Sequence, residues 1–452
     1  MPIKNPYNYA FKYLYSLEKY GIRLGFERIK TLLKYLGNPQ DKLNIIHVAG
    51  TNGKGSTAAI TASILIKAGY KVGLYTSPHL VRFNERIRID GKEIPDKNIA
   101  ELVERIRDSE QNYTFFEFTT AMAFLYFAEE KVDFAVMEVG LGGRLDATNV
   151  GRPLVSIITN IAKDHEAVLG NSIKDIAFEK GGIIKRDGIL ISAETKPAAL
   201  GILRNECRKK GAVLYRLNKD FFIENPLVPI LKWEANQSST LKKKGEMGFT
   251  FRGRRWFYQD VTLNLLGRHQ YLNAACALAA LEILEEKGFC ISESAVRKGL
   301  HGVSWNGRLE CISKKPLIIL DCAHNPAGAA VLRDALLDLR MKNKNNKSKI
   351  ILVLGVMADK DIKGILSILV PIADMVILTC PQLERAASLD LLYKHVPAYS
   401  KLEKAGRYKD RVRLIEGVKD ACLYAMAEAA ADDMICITGS VFTVGEAKKA
   451  LR

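Results

Sequence analysis

The chain has 452 residues, with 67 Lys and Arg against 50 Asp and Glu, giving a formal net charge of +17. Its 48% hydrophobic and 26% charged content describes a soluble globular protein, and its length exceeds one ordinary core, so two domains are expected. No apolar stretch approaches the ~20 residues that span a bilayer, and Met1-Pro2-Ile3-Lys4-Asn5-Pro6 has no apolar signal core. Eight cysteines without a Cys-x-x-Cys pair fit the reduced thiols of a cytoplasmic protein better than disulfides or a zinc site. The basic residues are dispersed. Their densest runs, at 242–244, 252–255 and 340–349, read as solvated loops or hairpin edges, so no nucleic-acid partner is expected. Steering of small polyanions is the more modest reading of the charge.

In chain order, buried-strand runs fall at residues 45–48, 72–75, 134–139, 155–159 and 188–191, with helical patterns between them, 119–129 included. Such alternation predicts a mostly parallel sheet covered on both faces. From about 212 to 266 the runs at 248–252 and 255–259, separated by turn residues, predict hairpins, and a helix comes next over 271–287. Gly302, Trp305, Asn306 and Gly307 interrupt the periodicity, which places a domain boundary near 301–308 and predicts domains at 1–302 and 303–452. The second unit repeats the rhythm with apolar runs at 317–320, 350–354, 375–378, 412–415 and 435–438. The polar 341–349 segment is predicted to be a loop. Two doubly wound units side by side leave a cleft at their strand ends, where ligands of such sheets bind.

The first strand runs into Gly50-Thr51-Asn52-Gly53-Lys54-Gly55-Ser56, and a helical pattern continues over 56–68. Glycines let backbone N–H groups converge on an anion, the helix N-terminus adds positive dipole, and Lys54 adds a full charge. The usual phosphate-loop pattern is shortened here. Two residues, not four, separate Gly50 from Gly53-Lys54, and Gly55 precedes Ser56.

This shortened loop resembles that of the Mur-type ATP-dependent amide ligases. Three further stretches resemble the folylpolyglutamate synthase/dihydrofolate synthase branch: Thr76-Ser77-Pro78-His79-Leu80 with Phe83-Asn84-Glu85-Arg86-Ile87; Glu138 to Asn149; and Asp321-Cys322-Ala323-His324-Asn325-Pro326. The resemblance runs from Tyr15 to Thr438-Gly439-Ser440. It implies an N-terminal P-loop-type ATPase domain with a mostly parallel sheet and a smaller C-terminal Rossmann-like α/β domain. The implied substrates are ATP, L-glutamate and a reduced folate or dihydropteroate. The implied reaction passes through an acyl phosphate, with no membrane partner and a monomer expected.

A carboxylate at the end of a buried strand beside a phosphate loop, as Glu138 is, suits a Mg²⁺ ligand; a strand-end salt bridge is its plainer reading. His165, after Asn160-Ile161-Ala162-Lys163-Asp164, reads alone as a surface or capping residue. The resemblance makes it a metal ligand together with Ser77, with Ser56 a weaker candidate for the same ion. Lys180, in Glu179-Lys180-Gly181-Gly182, reads alone as a surface lysine. The resemblance implies that CO₂ carbamylates it to ligate a second Mg²⁺, which requires a neutral amine. Gly181 stands where the family more often has alanine, a change expected to loosen the helix. Asn273 and Arg308 are implied to contact ATP. Asp321, at a strand end, is placed for ribose hydroxyls, a helix cap being the alternative, and His324 lies beside it. Catalysis is therefore assigned to Lys54, Lys180, His165 and Arg308.

The stretches Arg23-Leu24-Gly25 (preceded by Ile22), Thr114-Phe115-Phe116-Glu117 and Leu145-Asp146-Ala147 match those that cradle the pterin in bacterial relatives. Phe115 and Phe116 suit stacking on a flat heterocycle, or simple core packing. Bifunctional bacterial members often carry Asp where this chain has Arg23, a departure on the dihydropteroate side. Three other readings compete. A P-loop ATPase without ligase activity would release phosphate without glutamate, and a nucleic-acid binder would show a salt-sensitive shift on oligonucleotides. A peptidoglycan-precursor ligase is disfavoured by the 76–87 and 138–149 segments.

Overall fold

The structure, a computed structural model, describes residues 6–21, 23–109, 112–226, 248–341, 348–397 and 411–451. Ile22, the 242–244 lysine run and most of the 341–349 segment lie outside the described residues. Two compact units emerge, the first drawn from Met1–Asn225, Phe249–Leu263 and Tyr271–Val303, the second from Pro226–Gly248, Asn264–Gln270 and Ser304–Arg452.

The first unit is built on an eight-stranded sheet. Its strands are β1 (Ile45–Ala49), β2 (Val72–Tyr75), β3 (Ile87–Ile89), β4 (Lys92–Glu93), β5 (Phe134–Glu138), β6 (Pro153–Ile158), β7 (Ile189–Ser192) and β8 (Val213–Arg216). Their order is β4-β3-β2-β5-β1-β6-β7-β8. All pairs are parallel except β2–β3 and β3–β4, a short polar hairpin at the edge that apolar patterning does not reveal. Every residue of β1 is buried, the state of a central parallel strand covered on both faces. Register places the strand ends. Val48 lies opposite Glu138, and Ala49 opposite Ile158, so the C-terminal ends of β1, β5 and β6 open side by side.

Helices supply the cover. Phe118, Phe124 and Phe127 of the Phe115–Glu129 helix fill the core on one face, and this helix starts four residues before the predicted one because Thr114 caps it. The Lys54–Lys67 helix is buried nearly all round by small and apolar residues. The Glu293–Gly302 helix crosses close against it. A Cβ at Gly299 would stand 2.5 Å from Ile64 Cα, and Ser63 Oγ donates to Gly299 O at 2.8 Å.

A small sheet comes next: β9 (Phe222–Glu224), β10 (Gly248–Arg252) and β11 (Phe257–Thr262), with β10 central and antiparallel to β9. The basic run at 252–255 faces acids here. Arg252 pairs with Glu224 at 2.7 Å and Arg254 with Glu286 at 3.1 Å. Buried Glu282 accepts the backbone N–H groups of Arg254 (3.0 Å), Arg255 and Trp256 (2.6 Å).

The second unit has six strands: β12 (Glu310–Lys314), β13 (Leu317–Leu320), β14 (Ile350–Leu354), β15 (Met375–Leu378), β16 (Val412–Leu414) and β17 (Met434–Thr438). Their order is β12-β13-β17-β14-β15-β16, parallel throughout but for β12. The fold is thus a large, mostly parallel α/β unit plus a smaller α/β unit, the class expected from the strand–helix alternation. All eight cysteines are free thiols, and no described helix is long and apolar enough to cross a membrane.

Candidate active site

The edge where β1, β5 and β6 end carries the phosphate-loop motif. Residues 50–53 turn sharply out of β1, and the helix begins at Lys54. The segment after β6 braces this turn. Thr51 N donates to Asn160 O (2.8 Å), Asn52 N to Asn160 Oδ1 (3.0 Å), and Thr159 Oγ1 to Asn52 O (2.7 Å). Thr51 Oγ1 accepts from Ala162 N and donates to Ala162 O. Gly53 sits at φ +84°, and a Cβ there would collide with the Asn273 side chain, so only glycine permits this approach. The Asn273 side chain therefore lies against the loop.

Two cations meet on one carbonyl. Lys54 Nζ folds back to Gly50 O (3.2 Å) and Thr51 O (3.1 Å), while Lys180 Nζ reaches Gly50 O at 2.8 Å. Lys180 is only 4% exposed, which overturns its reading as a surface lysine. Burial, then the neighbouring Lys54 charge, lowers its pKa from 10.5 to about 7, against Asp164 and Asp146, which raise it. His165 adopts a left-handed φ of 51° at the start of the short Glu166–Leu169 helix, its N–H donating to Asp164 Oδ1 at 2.9 Å. The hydroxyl of Ser56, in the first turn after the loop, is buried with no hydrogen-bond partner among the described residues.

Glu138 ends β5 almost fully buried, and its Oε2 accepts the N–H of Ser77 at 3.0 Å. Beyond Ser77, Arg86 Nε donates to His79 Nδ1 at 2.9 Å, which requires that nitrogen to be unprotonated. Arg86 is 8% exposed and lies 5.2 Å from the Phe115 ring centroid; burial lowers its pKa. Phe115 also stacks on Tyr15 (6.1 Å, 14°) and meets Phe83 edge-on. His79 and Arg86 lie in the quoted motifs, yet sequence reasoning gave neither a role. Their partnership depends on β3 folding back against β2, which residue spacing does not show.

The remaining acceptor-side residues are tied into the frame. Glu117 accepts from Thr114 N (2.8 Å) and Thr114 Oγ1 (2.9 Å), closing a capping box, and pairs with Arg28 Nε at 2.9 Å. Arg28 in turn donates to Arg23 O at 3.1 Å, drawing the 23–25 stretch to the start of this helix. Asp146 holds its own turn. It accepts from Leu141 N (2.8 Å), Thr148 N (3.0 Å) and Thr148 Oγ1 (2.5 Å), and burial raises its pKa. Leu145 and Ala147 flank it in that turn. Phe116 lies against Gly140 and Tyr75. Leu24 is 45% exposed.

In the second unit the end of β13 and the turn before β12 come together. Asp321 accepts from Leu309 N and Ala323 N, both at 2.9 Å, while Asn325 caps the Pro326–Met341 helix through Gly328 N. The helix cap is thus Asn325, not Asp321. Burial raises the Asp321 pKa, with the Arg308 charge opposing. Arg308 Nη1 donates to Gly307 O at 3.1 Å, and His324 Nδ1 donates to Cys322 O at 2.9 Å. His269 is half-buried, and desolvation plus the Arg308 charge lowers its pKa to about 4, so it is neutral there. Among the described residues, no three His, Cys, Asp or Glu side chains converge as a ready-made metal cage. A Mg²⁺ ion is commonly held by one or two carboxylates plus phosphate oxygens and water.

A shortened phosphate loop on a parallel sheet, followed by a second α/β unit, defines a Mur ligase. The family model of the Mur ligase middle domain matches residues 48–281, and that of the Mur ligase glutamate ligase domain matches 307–441. Within that class the chain belongs to the dihydrofolate synthase/folylpolyglutamate synthase family. It is 36% identical over 456 residues to the dihydrofolate synthase/folylpolyglutamate synthase of Bacillus subtilis, with 99% of each chain covered. It resembles the solved folylpolyglutamate synthase of Mycobacterium tuberculosis complexed with ADP and AMPPCP (TM-score 0.85, 33% identity, 98% of each chain). The bifunctional folylpolyglutamate synthase/dihydrofolate synthase of Yersinia pestis complexed with AMPPNP and Mn ion is similar too (TM-score 0.83, 31% identity, 99% and 98% covered).

Proposed function

We propose that this chain is an ATP-dependent ligase that joins L-glutamate to a folate carboxylate, with a reduced folate, dihydropteroate or both as acceptor. The observation that carries the reading is the loop itself. Lys54 and the buried, weakly basic Lys180 share the Gly50 carbonyl, and the Ser56 hydroxyl of the same motif has no partner among the described residues. Residues 50–56 cradle the ATP phosphates through backbone N–H groups and the helix N-terminus, and Lys54 leaves its two carbonyls to meet them. Asn273, Arg308, Asp321 and His324 hold the rest of the nucleotide. The acceptor carboxylate attacks the γ-phosphate, giving an acyl phosphate and ADP. The glutamate amine then displaces phosphate and loses a proton, leaving an amide. No covalent protein nucleophile is needed, so positioning and charge neutralisation by Lys54 and Arg308 carry the rate.

The orphaned Ser56 hydroxyl and the hard oxygen of Glu138 fit a divalent cation. Ser56, Ser77, Glu138, His165 and a carbamylated Lys180 would hold Mg²⁺, two ions in all, which neutralises phosphate charge when bound. Carbamylation adds CO₂ to the neutral Lys180 amine and releases one proton. The product keeps one N–H, enough to preserve the bond to Gly50 O. Phe115, with Phe116, Arg23, Leu24, Gly25, Thr114, Glu117, Leu145, Asp146 and Ala147, shapes the acceptor side. Residues 1–302 carry nucleotide and folate and residues 303–452 complete the glutamate ligase, as a cytoplasmic monomer.

The test offers labelled glutamate and ATP with dihydropteroate or tetrahydrofolate and identifies products by mass. Lys54→Ala and Glu138→Ala should each abolish ligation while circular dichroism and melting stay near wild type. Phosphate release that ignores glutamate would instead mark a plain ATPase.

A further inference from the structure

A cavity of about 470 Å³ opens in the first unit away from the phosphate loop. The ligation chemistry needs none of its lining residues. Its lining includes Lys30, Arg144, Lys185, Arg186 and Lys210 beside Phe26 and Asn149, and no carboxylate lines it among the described residues. We propose that this cavity is a second binding site, for a small molecule carrying two or more carboxylate or phosphate groups.

Three features support this assignment. First, the ammonium groups are held in place by backbone, not by acids. Lys185 Nζ donates to Asn149 O at 2.7 Å and Lys210 Nζ to Ile184 O at 2.8 Å. Each such bond uses one of three N–H donors and neutralises no charge, so donors and charge remain for an anion. Lys30 lies 5.3 Å from the Phe26 ring centroid, and of the lining cations Arg144 has an acid, Glu179, at 2.8 Å and Arg186 has Asp187 at 4.0 Å. Secondly, the cations repel one another. Burial, then Lys210 and Lys30, lowers the Lys185 pKa to about 8, a conflict that a bound polyanion relieves. Thirdly, the volume falls within the ~300–1,000 Å³ of ordinary small-molecule sites, and Phe26 and Ile184 add apolar wall.

Calorimetry on the full chain, with the phosphate loop saturated by AMPPNP and Mg²⁺, tests the site with two probes, tri-γ-glutamate and tripolyphosphate. At least one probe should bind one to one. Its affinity should fall at least about tenfold in Lys185→Gln and severalfold in Lys30→Gln, and should weaken as salt rises. Comparing the probes separates a carboxylate ligand from a phosphate one. Lys30 is exposed, so Lys30→Gln keeps its fold and carries the test even if Lys185→Gln does not. Failure of both probes to bind at millimolar concentration, or binding unchanged in the folded variants, overturns the proposal.

Discussion

Lys180 exchanges a hydrated ammonium for a place against the Gly50 carbonyl, and this sets its acid–base chemistry. With a folded pKa near 7 against an ordinary 10.5, keeping it protonated costs stability below pH 7. That cost fades as pH rises from 7 to 10.5, because the unfolded chain binds the proton more tightly across that window. The amine is available to CO₂ over the same range. In ¹³C-bicarbonate, a carbamate resonance should grow with a midpoint near pH 7 and vanish in Lys180→Ala. Lys180→Arg should lose most activity, and small carboxylic acids should partly restore Lys180→Ala. Full activity in Lys180→Arg would make the lysine a structural cation. The sequence alone pointed to a surface lysine here, since burial arises only when the Ile173–Gly181 helix meets the β1 turn. Arg86 and His79 were hidden for a similar reason: their contact is a product of strand pairing.

At the scale of elements, apolar runs marked the central strands within a residue or two, because parallel strands buried on both faces need continuous hydrophobicity. β3, β4, β8 and β12 escaped that reading because they lie at or next to a sheet edge and are short or carry polar residues. The Lys54–Lys67 helix begins two residues earlier than its apolar pattern, as the left-handed Gly53 sets the turn. The helix that presents Lys180 ends in Gly181, where a Cβ would meet Leu203, Glu206 and Ile184 only at 3.5–3.8 Å, ordinary contact. Gly181→Ala should therefore stabilise the protein by about 0.5–1 kcal/mol in denaturant unfolding, with ligation retained. A drop in stability would show that the helix end needs glycine for a reason other than space.

Across the whole molecule, the chain carries a formal net charge of +17, although Arg252 and Arg254 pair with Glu224 and Glu286. Substrates of this family chemistry are polyanions, and their capture should be steered by that charge. Raising salt well past 0.1 M, where the screening length is about 10 Å, should raise KM for ATP and for the folate while kcat holds. A kcat that falls in step with KM would place the salt effect inside the site. The two-unit organisation and the family were legible because several motifs recur in order along the chain. The cationic cavity was not, because Lys30, Arg144, Lys185 and Lys210 are scattered in sequence and meet only in the fold.

The near-contact of Gly299 with the Ile64 backbone bears on how a mutational scan of this protein would read. Any side chain at 299 must push against main chain, and the helix it pushes carries Lys54 and Ser56 at its other end. Gly299→Ala should thus cost nucleotide affinity without touching nucleotide. A growth selection would score position 299 alongside the phosphate loop, and only a comparison of melting temperature with ATP binding would separate the scaffold from the hand it holds steady.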